Sequence, residues 1–274
     1  MAQLFADSPL GRHSEYIDTY TPALLHPIAR SLARESLGLS AALPFKGVDV
    51  WTAFELSWLD QHGRPQVMMA ECQVPCDTPN LIESKSFKLY LNSFANSTFV
   101  DADAVRQLLV QDLSAAAGGP VAVELWSLDE ALLTLPMSSG GLCVDQLPAT
   151  LSQYQHDPSL LRCNDGPLQD TTLCSHLLRS RCPVTQQPDW ATVQVHYRGA
   201  PIDPTSFLAY VVSFRNHIGF HEQVIEQMFL DIQQQCRPQS LSVYGRFTRR
   251  GGLDINPFRS SEAHPAPRFR VVRQ

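Results

Sequence analysis

The sequence predicts an α+β fold with antiparallel sheets, and three features carry that expectation. Strands come in hairpins rather than in regular alternation with helices. The order strand, strand, helix, helix, strand occurs once before residue 140 and again after it. The two stretches also match position by position, which is the mark of a duplicated module.

The elements follow in chain order. Val48, Val50, Thr52, Phe54, Leu56 and Trp58 alternate with Asp49, Glu55 and Ser57, the period of a half-buried strand. A turn-rich Asp60 to Pro65 leads into a second alternation, Met68, Ala70, Cys72 and Val74, which completes a hairpin. From Ser84 the period changes, with Phe87, Tyr90, Leu91 and Phe94 at helical spacing. Asp101 or Asp103 can cap a second helix striped by Val105, Leu108, Leu109 and Leu113, and Gly118-Gly119-Pro120 stops it. Val121, Val123 and Leu125 return to strand alternation.

Shifted by 120 residues, Ser86, Phe87, Tyr90, Ser93 and Phe94 fall on Ser206, Phe207, Tyr210, Ser213 and Phe214. The same offset sets Val105 on Ile225, Leu108 on Met228, Leu109 on Phe229, Val121 on Leu241 and Val123 on Val243. Two amphipathic helices with aromatic stripes resemble each other by chance, but the shared flanking strands favour duplication. The Ser-, Gly-, Pro- and Asp-rich stretch from Ser139 to Pro167 is the expected break, giving modules 1–140 and 141–274.

With 274 residues and 44% apolar content, the chain can bury one large core or two modest ones. No window approaches eighteen consecutive apolar residues, and Met1 to Leu10 lacks the order of a secretory signal, so a cytoplasmic, soluble protein without a membrane partner is expected. A net charge of -6 argues against a nucleic-acid partner, which needs a basic face. The local exception is Arg246, Arg249, Arg250, Arg259, Arg268, Arg270 and Arg273, a cluster that could hold a phosphorylated small molecule. Seven scattered cysteines read as reduced thiols. Cys72 and Cys76 have no second Cys or His pair at zinc-site spacing, so no metal is expected.

The residues suited to chemistry each have two readings. Cys182 lies on a Pro-rich connection, where a cysteine is more exposed than in a core, with Arg179 and Arg181 nearby to favour its thiolate. It is either inert or a nucleophile, and Asp189 on the same loop is close enough to exchange protons with whatever the thiol attacks. His221 is either a packed ring or a proton-transfer partner. Glu222 and Glu83 are either favourable acids at helix starts or, if buried, acceptors for the two N–H donors of a planar ring. Lys85 is either a solvated charge or a ligand-binding cation. Arg249-Arg250-Gly251-Gly252 is either a basic turn or a phosphate clamp whose glycines permit close backbone approach. No Gly-x-Gly-x-x-Gly follows a strand, so no Rossmann cofactor site is indicated.

Four segments together resemble the 7-cyano-7-deazaguanine reductases, the nitrile reductases of queuosine biosynthesis. They are Glu83 to Tyr90, Cys182 to Trp190, Phe220 to Gln223 and Arg249 to Pro257. The segments stand in family order over most of the chain, whose length is similar to the long, two-module form. Gln186 departs mildly from the more usual Asn and leaves Cys182 and Asp189 intact. The resemblance implies tandem tunnelling-fold modules, each an antiparallel sheet with two helices on one face, in a homodimer whose two modules per chain build the site together. It implies that Cys182 adds to the nitrile of 7-cyano-7-deazaguanine to give a thioimide, reduced with two NADPH while Asp189, assisted by His221, supplies protons. Ile82, Glu83, Ser84, His221 and Glu222 would contact the substrate, and Ser84, Lys85, Arg250 and Gly251 would bind NADPH. Two competing readings are a tunnelling-fold enzyme of the GTP cyclohydrolase or pterin type and a non-catalytic ring-binding module.

Overall fold

The structure, a computed structural model, describes residues 17–40, 42–129 and 140–274. The readings of Met1 to Leu10 and of Ser139 lie outside these. In chain order the elements are β1 (Pro27–Ala29), α1 (Arg30–Ser36), β2 (Lys46–Leu59), β3 (Pro65–Pro75), β4 (Asn80–Ile82), α2 (Ser84–Asn92), α3 (Ala102–Ala117) and β5 (Ala122–Trp126). They continue with β6 (Leu142–Cys143), β7 (Gln169–Arg181), β8 (Pro188–Gly199), α4 (Pro204–Ser213), α5 (His221–Cys236), β9 (Ser240–Phe247) and β10 (Leu253–Ser260). The fold is thus mixed α+β, as the hairpin pattern predicts.

Two compact units are present, and neither is continuous in sequence. The first comprises the described residues of Met1–Leu39, Val50–Leu135 and Arg249–Asp254, and the second those of Ser40–Asp49, Pro136–Thr248 and Ile255–Gln274. The turn carrying Arg250 and Gly251 therefore packs with the first unit, although its place in the chain suggested the second.

In the first unit the strand order is β5-β3-β2, with β3 and β5 antiparallel. Asp101 caps α3 by accepting from Ala104 N at 2.8 Å, and Gly118 ends it in the left-handed conformation at φ 74°. Phe87, Tyr90 and Phe94 are fully buried as their spacing predicts, and Trp51 packs on Phe87 at 5.1 Å. In the second unit the order is β10-β9-β8-β7-β6, antiparallel except for the short parallel pair β6 and β7. That pair departs from the all-antiparallel expectation.

Asp49 is a second departure. The alternation placed it on an exposed face, yet it is fully buried because Arg259, also fully buried, pairs with it at 2.8 Å and with Glu226 at 2.9 Å. A buried guanidinium with two carboxylates retains most of its hydrogen bonds, so both strand faces near Asp49 can close over.

The internal likeness runs deeper than the aligned helices. In the first unit Thr21 N donates to Ser93 Oγ and His26 N to Ser86 Oγ; in the second, Asp157 N donates to Ser213 Oγ and Arg162 N to Ser206 Oγ. Each strap carries a short 3-10 turn, Pro22–Leu24 or Pro158–Leu160, so Pro-x-Leu-Leu at Pro22 and Pro158 is a second repeat that the helix alignment missed. Leu59 N to Ser97 O recurs as Arg181 N to His217 O. The constant offset fails at the second helix of each pair. Val105, Leu109, Leu113 and Ala117 are buried in α3 and Val224, Met228, Ile232 and Cys236 in α5, a shift of 119 rather than 120. One residue fewer in the connection before α5 accounts for it, and Leu108 is only half-buried as a result of the true register.

That register also pairs Asp112 with Asp231. Tyr20 and Tyr90 hydroxyls donate to Asp112 at 2.6 and 2.7 Å, while Tyr210 and His156 reach Asp231 at 2.5 and 2.7 Å. The second cluster holds His217, whose ring packs on Phe214 and His156 where Phe99 packs on Phe94 and Tyr20. Burial, reinforced by the neighbouring His156, pushes the His217 imidazole down to about 4. A histidine kept neutral in the folded state takes up its proton only on unfolding, so stability is complete above the ordinary value near 6.5 and is lost as pH falls toward 4. His217→Phe should therefore lose less stability than the wild type between pH 7 and 4.5, read as the difference in urea midpoint. Equal losses would mean that His217 is not the group responsible.

Candidate active site

The hairpin of β7 and β8 closes through a tight turn in which Cys182 N donates to Gln187 O at 2.9 Å and Gln186 N to Cys182 O at 3.0 Å. Gln186 takes the left-handed conformation at φ 58°. These bonds fold Cys182 inward, and it is 9% exposed rather than open as a loop cysteine was expected to be. The nearby cations are engaged locally. Arg179 lies over Trp190 at 5.7 Å and donates to Arg215 O, and Arg181 Nε reaches Gln186 O at 3.5 Å.

Asp189 is the cross-strand partner of Ser180. Paired residues share a sheet face, so Ser180 and Asp189 lie on one face, and Cys182 follows just past the end of β7, where the turn begins. Asp189 is 3% exposed. Arg181 makes a parallel bridge to Ile218, which carries the start of α5 alongside the hairpin. His221, the first residue of that helix, sets its Nε2 3.5 Å from Asp189 Oδ2. Its ring stacks on Phe247 at 3.8 Å with planes 5° apart, and its Nδ1 lies 3.3 Å from Ile255 O. A carbonyl only accepts, so Nδ1 carries the proton there, and the Nε2 to Oδ2 contact is attractive only when a second proton lies between them. An imidazole beside a carboxylate is placed to pass a proton between the two. Ser180 Oγ is fully buried without a hydrogen-bond partner among the described residues, a polar group that sequence reasoning passed over.

Glu222 follows in the first turn of α5, where the helix dipole favours a carboxylate, and is 4% exposed. Its counterpart in α3, Asp103, stands in solvent and pairs with Arg106 at 2.7 Å. An acid buried at one copy and solvated at the other is the asymmetry expected of a ligand-binding position.

In the first unit Glu83 is the N-cap of α2 rather than a first-turn charge. Its two oxygens accept from Lys85 N and Ser86 N, each at 2.8 Å, as Asp203 caps α4 by accepting from Thr205 N. Burial pushes its carboxyl up, against the two backbone donors that pull it down. Ile82 on β4 is buried opposite Pro27, and Ser84 Oγ lies 3.4 Å from Glu83 Oε1. The Arg250-Gly251-Gly252 turn rests against the same helix. A Cβ at Gly251, φ 59°, would meet Lys88 Nζ at 2.3 Å, and one at Gly252, φ 79°, would meet Glu55 at 2.4 Å. The left-handed conformation and these close approaches favour glycine at both positions. Glu55, Lys88, Asn92 and this turn line a pocket.

The wider arginine cluster does not form one patch. Arg246 is buried against Gln274 and Tyr244, Arg259 is buried with its carboxylates, Arg270 binds Gln274 O, and Arg273 binds the carbonyls of His176 and Ala191. Arg249 lies over Phe54 at 4.4 Å, and both it and Arg250 are exposed in the turn.

Two family descriptions match the chain: "Nitrile reductase, 7-cyano-7-deazaguanine-reductase N-term" over residues 16–125, and "QueF-like protein" over residues 188–266. Proteins from Burkholderia orbicola and Burkholderia cenocepacia, each named NADPH-dependent 7-cyano-7-deazaguanine reductase, are 52% identical over 272 residues, covering 97% of this chain and 98% of theirs. A crystal structure of the archaeosine synthase QueF-Like in the apo form aligns at TM-score 0.32 and 18% identity, covering 37% of this chain and all of that one.

Proposed function

This chain belongs to the NADPH-dependent 7-cyano-7-deazaguanine reductase family, and from that premise we propose that Cys182 is the nucleophile and Asp189 the proton donor in reduction of a nitrile to an amine. The substrate is 7-cyano-7-deazaguanine, and the product, 7-aminomethyl-7-deazaguanine, is destined for queuosine in tRNA. The observation that supports these roles is the buried Asp189, 3.5 Å from His221 and cross-strand from Ser180, on the hairpin whose turn begins at the buried Cys182.

The Cys182 thiol gives its proton to the Asp189 and His221 pair as its sulfur adds to the nitrile carbon and one C–N π bond opens, and Asp189 delivers a proton to the nitrogen, giving a thioimide with no leaving group. NADPH, when bound, would supply the two hydrides that reaching the amine requires, and between them the C–S bond breaks, its electron pair returning to Cys182 as thiolate and leaving an imine. His221 returns protons to Asp189 and serves the second transfer. The Ser180 hydroxyl, which has no partner among the described residues, gains a hydrogen-bond acceptor in the substrate. Glu222 and Glu83 accept from the guanine-like edge, because a carboxylate matches two adjacent N–H donors. Ile82 packs on the ring.

Ser84, Lys85, Arg250 and Gly251 hold the cofactor. What supports this fit is Lys88 on α2 set against the Gly251 and Gly252 turn, with Lys85 one helical turn earlier on the same helix, cations suited to phosphate although Glu55 lies beside them. The repeated strap and helix contacts support reading 1–140 and 141–274 as two copies of a tunnelling-fold module. By resemblance the enzyme is a cytoplasmic homodimer that binds no nucleic acid. Among the described residues no helix is long and apolar enough to cross a membrane.

With limiting 7-cyano-7-deazaguanine, NADPH absorbance should fall by about two equivalents per nitrile, since each hydride carries two of four electrons. No oxidation with this substrate would overturn the assignment, and a single equivalent would stop the reaction at the imine.

A further inference from the structure

We infer that Cys143, Asp145 and His176 form a binding site for a zinc-class divalent metal ion on the edge of the second unit, with Cys174 as the adjoining fourth donor. A sulfur, a carboxylate oxygen and a ring nitrogen of these three residues lie within 4.8 Å of one another. Cys143 is the parallel-strand partner of Cys174, and the two thiols are hydrogen-bonded. Cys143 reaches this place from the end of β6, Asp145 from the turn that follows it and His176 from the middle of β7, so their spacing in sequence gives no hint of a site.

The donors are already aimed. Ser175 Oγ donates to Asp145 Oδ1 at 2.6 Å and His176 N to Oδ2 at 2.9 Å, which fixes the carboxylate beside the imidazole while leaving lone pairs on both oxygens. The register of β7 against β8 shifts between Ser175 and Leu178, and that irregularity re-aims His176 out of the regular ladder. Its Nδ1 lies 2.8 Å from Thr192 Oγ1, the partner that sets a metal-binding imidazole with Nε2 as the free nitrogen.

The donor set decides the ion. A thiolate excludes calcium and magnesium, and mixed sulfur, nitrogen and oxygen at four positions is the chemistry of zinc. Ligand separations in a tetrahedral zinc site are about 3.5 Å, so closing the trio requires a movement of about 1 Å, within reach of side-chain adjustment. Binding releases the Cys143 thiol proton to solvent, and coordination by Cys174 releases a second. Arg273, anchored on His176 O, brings one positive charge nearby, and the thiolate and carboxylate together offset it. The ion would staple the two-residue β6 to the sheet edge, where Val144 N to Cys174 O and Gln194 Nε2 to Gly140 O otherwise hold this segment.

Reduced, metal-free full-length protein titrated with Co2+ tests this. One equivalent should bind with a thiolate-to-cobalt charge-transfer band, and Zn2+ should abolish the band by displacement. Cys143→Ser and His176→Ala should each remove the band, Cys182→Ala should keep it, and Thr192→Val should weaken affinity roughly 10- to 100-fold. Absence of a thiolate band would overturn the site. So would a band that survives both Cys143→Ser and His176→Ala, or one lost in Cys182→Ala, since cobalt would then sit on another thiol.

Discussion

Cys182→Ala is expected to reduce NADPH-dependent turnover by roughly 10⁴-fold or more, the scale seen when a covalent nucleophile is removed. A nitrile is a poor hydride acceptor until sulfur has added to its carbon, so no parallel route carries the flux. Substrate binding should persist, because the ring contacts are assigned to Glu83 and Glu222 rather than to the thiol. The turn should survive as well, since Cys182 is held through its backbone N and O to Gln187 and Gln186. Fluorescence titration of the variant with the nitrile separates the two effects: near-normal affinity with lost turnover is the expected pair. Turnover within tenfold of wild type would place the nucleophile elsewhere.

Asp189→Asn is expected to lower turnover by about 10²- to 10⁴-fold, the usual worth of a positioned acid. Asparagine keeps the volume and can still hydrogen-bond His221 Nε2, but it has no ionisable proton to deliver to the nitrogen. The side chain is buried beside His221, so water has poor access to substitute for it. The rate of adduct formation should fall together with turnover, because the first proton is needed when sulfur adds. A variant that formed adduct at the normal rate and failed only in reduction would assign the first proton to His221 instead.

Much of this was legible in the sequence where period and capping chemistry dominate. The hairpin of β2 and β3, the aromatic stripe of α2 and the Asp101 and Gly118 ends of α3 are local properties, and local rules found them. Long-range partners were not legible. Asp49 reads as a surface acid until Arg259, more than two hundred residues away, is seen to neutralise it. The one-residue change before α5 was hidden because Val224 and Ile225 are both apolar, so the wrong register still matched hydrophobic to hydrophobic; the Asp112 and Asp231 pair reveals it. The Pro-x-Leu-Leu straps were readable but short, and gain their meaning from Ser86, Ser93, Ser206 and Ser213, whose hydroxyls receive them.

At the site, sequence pattern selected Cys182, Asp189, His221 and Glu222, and resemblance supplied their roles. Geometry adds the burial of Cys182, the stacking of His221 on Phe247 and the partnerless Ser180 hydroxyl, none of which a linear reading reaches. Glu83 was read as a charge at a helix start, and the difference between first turn and N-cap rests on two backbone bonds that only the fold defines.

Covalent addition at Cys182 is the step on which every assigned role depends, and intact-mass measurement of the wild-type protein with 7-cyano-7-deazaguanine, in the absence of NADPH, tests it most directly. The account predicts a gain equal to one whole nitrile molecule, because addition expels nothing, with the modification on the proteolytic peptide that follows Arg181. An unchanged mass at saturating nitrile, or the added mass on any of the other six cysteines, would contradict it.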